Sequence, residues 1–218
     1  MGGPDSHRIS VLHVDDEPGL AETTAEFLRQ QSDGFSVETA TSTSEGLKRL
    51  TEAPFDCIVS DYDMADMDGI EFLRAVRAEY PDLPFVLFTG KGSEEVASEA
   101  VSAGVSDYLQ KRGGTERYTL LANRITNLVT QHRAEERLKT RVQQQEAVAD
   151  LGQYALTGCG LDALFERAVE SVAAGLNTEY SKVLEYRPAD NKFLLRAGVG
   201  WQSGLVGEAA VGAGEESQ

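Results

Sequence analysis

Between Ile9 and Gln110 one pattern recurs five times: a short apolar run, then a longer stretch whose apolar residues return at three- and four-residue spacing. Runs this short, bounded by turn residues, read as strands, and the stretches between them read as amphipathic helices. Strands apolar on both faces must be covered on both, so this alternation specifies an α/β fold: a parallel sheet with right-handed crossovers and helices on either side. The strands fall at Ile9–Val14, Phe35–Ala40, Phe55–Ser60, Pro84–Thr89 and Asp107–Gln110. Helices are expected from Pro18, from Ser42 or Ser44, from Asp68, from near Ser93 and from near Thr115. Pro18 suits a first helical turn, where its missing N–H costs nothing, and Asp68-Gly69 supplies an N-cap turn.

In a doubly wound parallel sheet the functional crevice lies beyond the carboxyl ends of the strands, so the residues that follow each strand identify the chemistry. Strand one ends in Asp15, Asp16 and Glu17, strand three in Asp61, strand four in Thr89 and Gly90, and strand five in Gln110 and Lys111. Carboxylates gathered in one crevice repel one another by about 1 kcal/mol per pair at 4 Å in water, and by more where water is excluded. A hard cation such as Mg²⁺, which takes one or two carboxylates and keeps positions for phosphate oxygens, relieves that repulsion. A hydroxyl at 89 and an ammonium at 111 would bind the oxygens of a phosphoryl group carried on Asp61. Taken singly, each residue has a plainer reading: the acidic triplet as an N-terminal cap of the first helix, Thr89 as a strand end, Lys111 as a surface base. The set, each member at the end of a different strand, points to one phosphate site.

The segments VLHVDDEP, IVSDYDMADMDG, LFTG and DYLQK, spread over residues 9–111, resemble the receiver domains of two-component response regulators. That resemblance implies a flavodoxin-like sheet with strand order 2-1-3-4-5. It makes Asp61 the phosphoacceptor, Asp15 and Asp16 the acidic pair with Asp16 a direct Mg²⁺ ligand, and the main-chain carbonyl of Asp63 a further ligand. It also makes Thr89 the switch hydroxyl, Tyr108 the aromatic that moves with it, Lys111 the phosphate-pairing base, and a histidine kinase or phosphotransfer protein the phosphoryl donor. Two positions depart from the family. Ala65 stands where proline usually follows methionine, and Arg112 stands where a cis proline usually follows the lysine; a cis bond before a non-proline residue costs ~2.5–4 kcal/mol, so the Lys111–Arg112 peptide is expected trans or strained. Gly90 in place of the common alanine leaves more room over the site. A rival enzyme reading, a Mg²⁺-dependent aspartate-based phosphatase with DYD as its motif, is weakened by Ala65 and by the motif's place after the third strand.

Charge narrows the partners. The 36 acidic against 20 basic residues give a net charge of −16, which disfavours nonspecific binding to nucleic acid or anionic membrane and resembles the acidic proteins of salt-loving archaea. No apolar run approaches the ~20 residues of a membrane-spanning helix. The N-terminal MGGPDSHR lacks the basic and apolar regions of a signal peptide and reads as a short disordered leader, so a cytoplasmic location is expected. Cys57 and Cys159 stand apart from any metal-binding spacing, as in a reducing compartment.

Residues 7–130 make up the expected receiver. Its last helix continues past Leu121, Ile125, Leu128 and His132 into RAEERLKTRVQQQEAVADL, without glycine or proline until Gly152. Residues 119–147 are the only net basic segment, with three acids against five bases, and residues 131–147 read as a helical linker suited to weak homodimerisation. Residues 148–218 resemble the first half of a GAF-type sensor domain, with PAS-like or unrelated α/β modules as alternatives. They comprise a helical stretch over Leu151–Leu176, two strands at Lys182–Tyr186 and Lys192–Ala197 joined by a turn at Pro188–Asn191, and a Gly-rich tail expected to close no sheet. Tyr180, Tyr186 and Trp201 are either pocket or core residues, and no cofactor is expected at Cys159. The whole is read as a receiver relaying phosphorylation to a sensor or output module. Its alternative is the N-terminal part of a hybrid histidine kinase or transcription regulator.

Overall fold

The computed structural model describes residues 8–31, 34–90, 94–201 and 204–212. The expected leader up to residue 7, the expected helix start at Ser93 and the end of the Gly-rich tail lie outside the described residues. The chain divides into two compact units, one through residue 135 and one from residue 136.

The first unit is a five-stranded parallel sheet in the order β2-β1-β3-β4-β5. Its strands are β1 (Ile9–Val14), β2 (Phe35–Ala40), β3 (Cys57–Ser60), β4 (Phe85–Thr89) and β5 (Asp107–Gln110), alternating with α1 (Pro18–Gln31), α2 (Thr43–Glu52), α3 (Gly69–Glu79), α4 (Glu94–Ser102) and α5 (Glu116–Leu156). β3 and β4 begin later than their apolar residues suggest. Pro84 has no N–H to give a ladder and enters only by its carbonyl, which accepts from Ile58 N–H at 2.8 Å. The third helix is fixed by a capping box, with Asp68 Oδ1 accepting from the N–H groups of Ile70 and Glu71 and the Glu71 carboxylate accepting from Asp68 N–H.

The side-chain period of two sorts each strand between two cores. Val11, Cys57, Val59, Val86 and Phe88 pack with Ala25 and Leu28 of α1 and with Tyr118, Leu121 and Ile125 of α5. Leu12, Val14, Ile58, Phe85 and Leu87 pack with Leu50, Phe72, Leu73, Val76 and Ala100 on the opposite face. Buried apolar area on both faces, at about 25 cal/mol per Å², is the main force holding the unit together. Burial along α5 ends at Val129.

The helix α5 continues without a break through the residues expected as a linker and ends at Leu156. The single stretch expected over Leu151–Leu176 is therefore two helices. Gly158, at φ 76°, turns the chain, a left-handed conformation that costs glycine little, and Gly160 caps α6 (Leu161–Leu176). In the second unit α6 packs on an antiparallel sheet of β6 (Ser181–Arg187), β7 (Lys192–Val199) and β8 (Ala210–Gly212) in that order. The tail thus does extend a sheet: Ala210 to Gly212 pair with Leu194 to Lys192, an addition hidden by a segment too rich in glycine to look like a strand. Tyr180 meets Trp201 edge-on at 6.0 Å and Tyr186 lies against Phe193 at 5.2 Å. Among the described residues these rings form two local pairs, each partly exposed. No helix among the described residues is long and apolar enough to cross a membrane.

Gly69 sits where the loop after β3 folds back, its N–H donating to the Tyr62 carbonyl at 2.9 Å. A β-carbon there would collide with the Asp61 carbonyl oxygen and stand 2.7 Å from Leu87 Cδ1 and 3.0 Å from Tyr62 Cα. Gly69→Ala is expected to destabilise the unit by roughly 1–3 kcal/mol, read as a lower urea midpoint; an unchanged midpoint would contradict this packing.

Candidate functional site

The register of the sheet brings the strand ends level. Val14 pairs with Ser60, Ser60 with Leu87 and Thr89 with Gln110. Backbone bonds carry the ladder one residue further: Asp15 N–H to the Ala40 carbonyl at 3.1 Å, Asp61 N–H to Val14 at 2.9 Å, and Lys111 N–H to Thr89 at 2.7 Å. Asp15, Asp61 and Lys111 are therefore placed by the sheet rather than by flexible loops, and they share the pleat phase of Val11, Val59 and Leu109. Thr89 and Tyr108 fall in the opposite phase.

The Lys111 ammonium lies 2.7 Å from Asp15 Oδ2 and 3.0 Å from Asp61 Oδ1, all three side chains nearly excluded from water. Asp15 Oδ1 also accepts from Glu17 N–H at 3.0 Å, and Asp16 Oδ2 accepts from Ala65 N–H at 3.1 Å. Carboxylate oxygens of Asp15, Asp16 and Asp61 come within 4.8 Å of one another. Burial pushes the Asp61 carboxyl above the usual carboxylate range, against the pull of the Lys111 charge. One ammonium facing three acids leaves excess negative charge in a partly dry crevice. A hard cation with oxygen ligands fits that donor set.

Thr89 is fully buried at the end of β4. Tyr108, half-buried on β5, has a buried hydroxyl with no hydrogen-bond partner among the described residues. Asp63 is exposed in the loop two residues past Asp61. No cis peptide occurs among the described residues, so the Lys111–Arg112 bond is trans and the lysine still reaches both acids. Arg117 braces this loop by donating to the carbonyls of Lys111 at 2.7 Å and Gly113 at 3.4 Å.

Sequence reading missed three features. His13 is fully buried beside the acids, its ring nitrogen Nδ1 3.3 Å from the Ala21 carbonyl, and burial pushes its pKa down to about 4. The Ala65 amide, a backbone contact to Asp16, and the Asp66 carboxylate, which accepts from backbone N–H groups and from the Thr43 hydroxyl, leave no mark in the pattern of residue types.

A family model described as the response regulator receiver domain matches residues 11–123, just over half of the chain. The chain belongs to the response regulator receiver domain family. Its relatives include the transcriptional regulatory protein GlrR of Escherichia coli, 38% identical over 107 residues, which cover 49% of this chain and 24% of that protein. They also include ZraR of Salmonella typhimurium, 36% identical over 104 residues, covering 48% and 23%. The chain thus spans about a quarter of the length of these relatives. Among solved structures it resembles a CheY-like receiver domain of Methanospirillum hungatei, with a TM-score of 0.53, 25% identity, and coverage of 59% of this chain and 98% of that one. A receiver domain of Clostridium thermocellum aligns with a TM-score of 0.52, 27% identity and coverage of 58% and 98%.

Removing one partner of a buried ion pair leaves an uncompensated charge, which typically costs 3–5 kcal/mol. Lys111→Met is therefore expected to destabilise the receiver unit by about 3 kcal/mol, and Asp15→Asn in the same chain to restore part of that loss. Chemical denaturation of the single and double variants checks this, and strict additivity would contradict the shared cradle.

Proposed function

We propose that this chain accepts a phosphoryl group on Asp61 from a phosphohistidine of a partner kinase or phosphotransfer protein. A Mg²⁺ ion held by Asp16 and Asp61, with Asp15 behind them and the Asp63 carbonyl as a further ligand, would neutralise charge on the phosphoryl oxygens as a Lewis acid. The observation that carries the reading is the buried Lys111 ammonium within ion-pair distance of both Asp15 and Asp61.

The chain's own residues divide the work. Asp61 is the nucleophile: its carboxylate oxygen forms the new bond to phosphorus as the phosphorus–nitrogen bond of the donor breaks, and the imidazole leaves with that electron pair. Lys111 exchanges its pairing with Asp61 for a phosphoryl oxygen. The acyl phosphate then carries close to two negative charges. Thr89 donates its hydroxyl to the new oxygens, and Tyr108, whose buried hydroxyl is unpaired among the described residues, shifts with it. Positioning and electrostatics supply most of the rate, so the chain acts as a phosphoacceptor that catalyses its own modification and dephosphorylation rather than as an enzyme on other substrates.

The signal passes along α5 to residues 148–218, read as a GAF-like sensor module, with weak homodimerisation through the exposed helix around Leu138 and Val142. The protein works in the cytoplasm. A second reading is the N-terminal portion of a hybrid kinase or a transcription regulator; for the regulator, support comes from relatives that are transcriptional regulatory proteins of about four times the matched length. The phosphatase alternative is disfavoured because Asp61 follows the third strand rather than the first.

Asp61→Asn is expected to abolish Mg²⁺-dependent labelling by acetyl phosphate or a phosphohistidine donor while leaving the fold intact by circular dichroism. Labelling that persists at the wild-type level would refute the assignment.

A further inference from the structure

Asp16 Oδ2 accepts the backbone N–H of Ala65. That bond exists because residue 65 is not a proline, which has no N–H to give. The next residue, Asp66, ties the same loop to the start of α2. Its Oδ2 accepts from Thr43 N–H at 3.1 Å, from Thr43 Oγ1–H at 2.7 Å and from Ser44 N–H at 3.4 Å, while its Oδ1 accepts from Met67 N–H at 3.0 Å. Thr43 is fully buried and Met64 nearly so, so the loop is anchored on both sides of Ala65.

We propose that Asp66 is a positioning residue for the cation site: it clamps the loop after β3 to α2, which fixes the Ala65 amide, and that amide holds Asp16 by one oxygen, so that the carboxylate would meet a cation already oriented. This deepens the assignment of Asp16 as a ligand and rests on it. A carboxylate already held in one rotamer loses less freedom when it binds a metal, and outer partners of metal ligands commonly govern 10–100-fold in affinity. Asp66 touches neither cation nor phosphoryl group in this account. It acts through the loop.

The test uses the whole chain and Mn²⁺ as probe, with free ion followed by electron paramagnetic resonance. Asp66→Ala is expected to weaken Mn²⁺ binding about tenfold, and Asp66→Asn, whose amide oxygen still accepts from Thr43, to stay within about threefold of wild type. Ala65→Pro should fall with Asp66→Ala; should it not fold, the two Asp66 variants carry the result. At saturating cation the labelling rate of Asp66→Ala should match wild type, because position and not chemistry is lost. Unchanged Mn²⁺ affinity in Asp66→Ala would overturn the proposal, as would an equal loss in Asp66→Ala and Asp66→Asn, which would trace the effect to charge. Loss of binding in Asp16→Asn with Asp66→Ala intact would remove the clamp alone, whereas wild-type binding in Asp16→Asn would remove the ligand assignment and the clamp with it.

Discussion

A single ammonium shared by two buried carboxylates sets the terms for the receiver unit. Lys111, Asp15 and Asp61 come from three strands, and each is fixed by a backbone bond that extends the sheet ladder past its formal end. Desolvating these charges is expensive, and their mutual attraction offsets the cost only while the geometry holds. The sheet register therefore does more than shape a core: it keeps an electrostatic arrangement in place that no isolated loop could maintain. The arrangement is also unbalanced, with one positive charge to three acids, a donor set that a hard cation fits.

The loops around this cradle are braced by hydrogen bonds and close packing. Arg117 holds the Lys111 carbonyl, so the trans peptide at Arg112 does not swing the lysine away. Asp66 and Gly69 hold the loop after β3, one by hydrogen bonds to α2 and the other by close packing on the Asp61 carbonyl. Burial along α5 stops at Val129, while Leu138, Val142 and Val148 are exposed. An isolated helix in water gains little from propensity alone, and the later turns of α5 have no buried apolar stripe to add to it.

Much of this was legible in the sequence because both the sheet and the site follow from patterns that residue types record. Apolar runs marked the strands to within two residues, Asp68 marked a helix start as an N-cap while the second helix start was left between Ser42 and Ser44, and the strand-end residues Asp15, Asp61 and Lys111 converged as their positions required. The misses share a physical origin. Cys57 rather than Phe55 begins β3 because pairing, not hydrophobicity, defines a strand. β8 was invisible because its stability comes from β7 and not from its own residues. The break at residues 157–160 depends on a backbone conformation at Gly158 that composition does not announce. Ala65 acts through its backbone N–H and Asp66 through contacts across to α2, and the burial of His13 shows only once α1 covers it.

The central claim is chemical: a phosphoryl group becomes bonded to one particular carboxylate. An acyl phosphate is reduced by borohydride to an alcohol, so an aspartyl phosphate leaves homoserine at its position. Peptide mass analysis of the chain labelled with a phosphohistidine donor and Mg²⁺, then reduced, is predicted to place homoserine at position 61. Homoserine at position 15, 16 or 63, or none in a chain that has taken up label, would contradict the account.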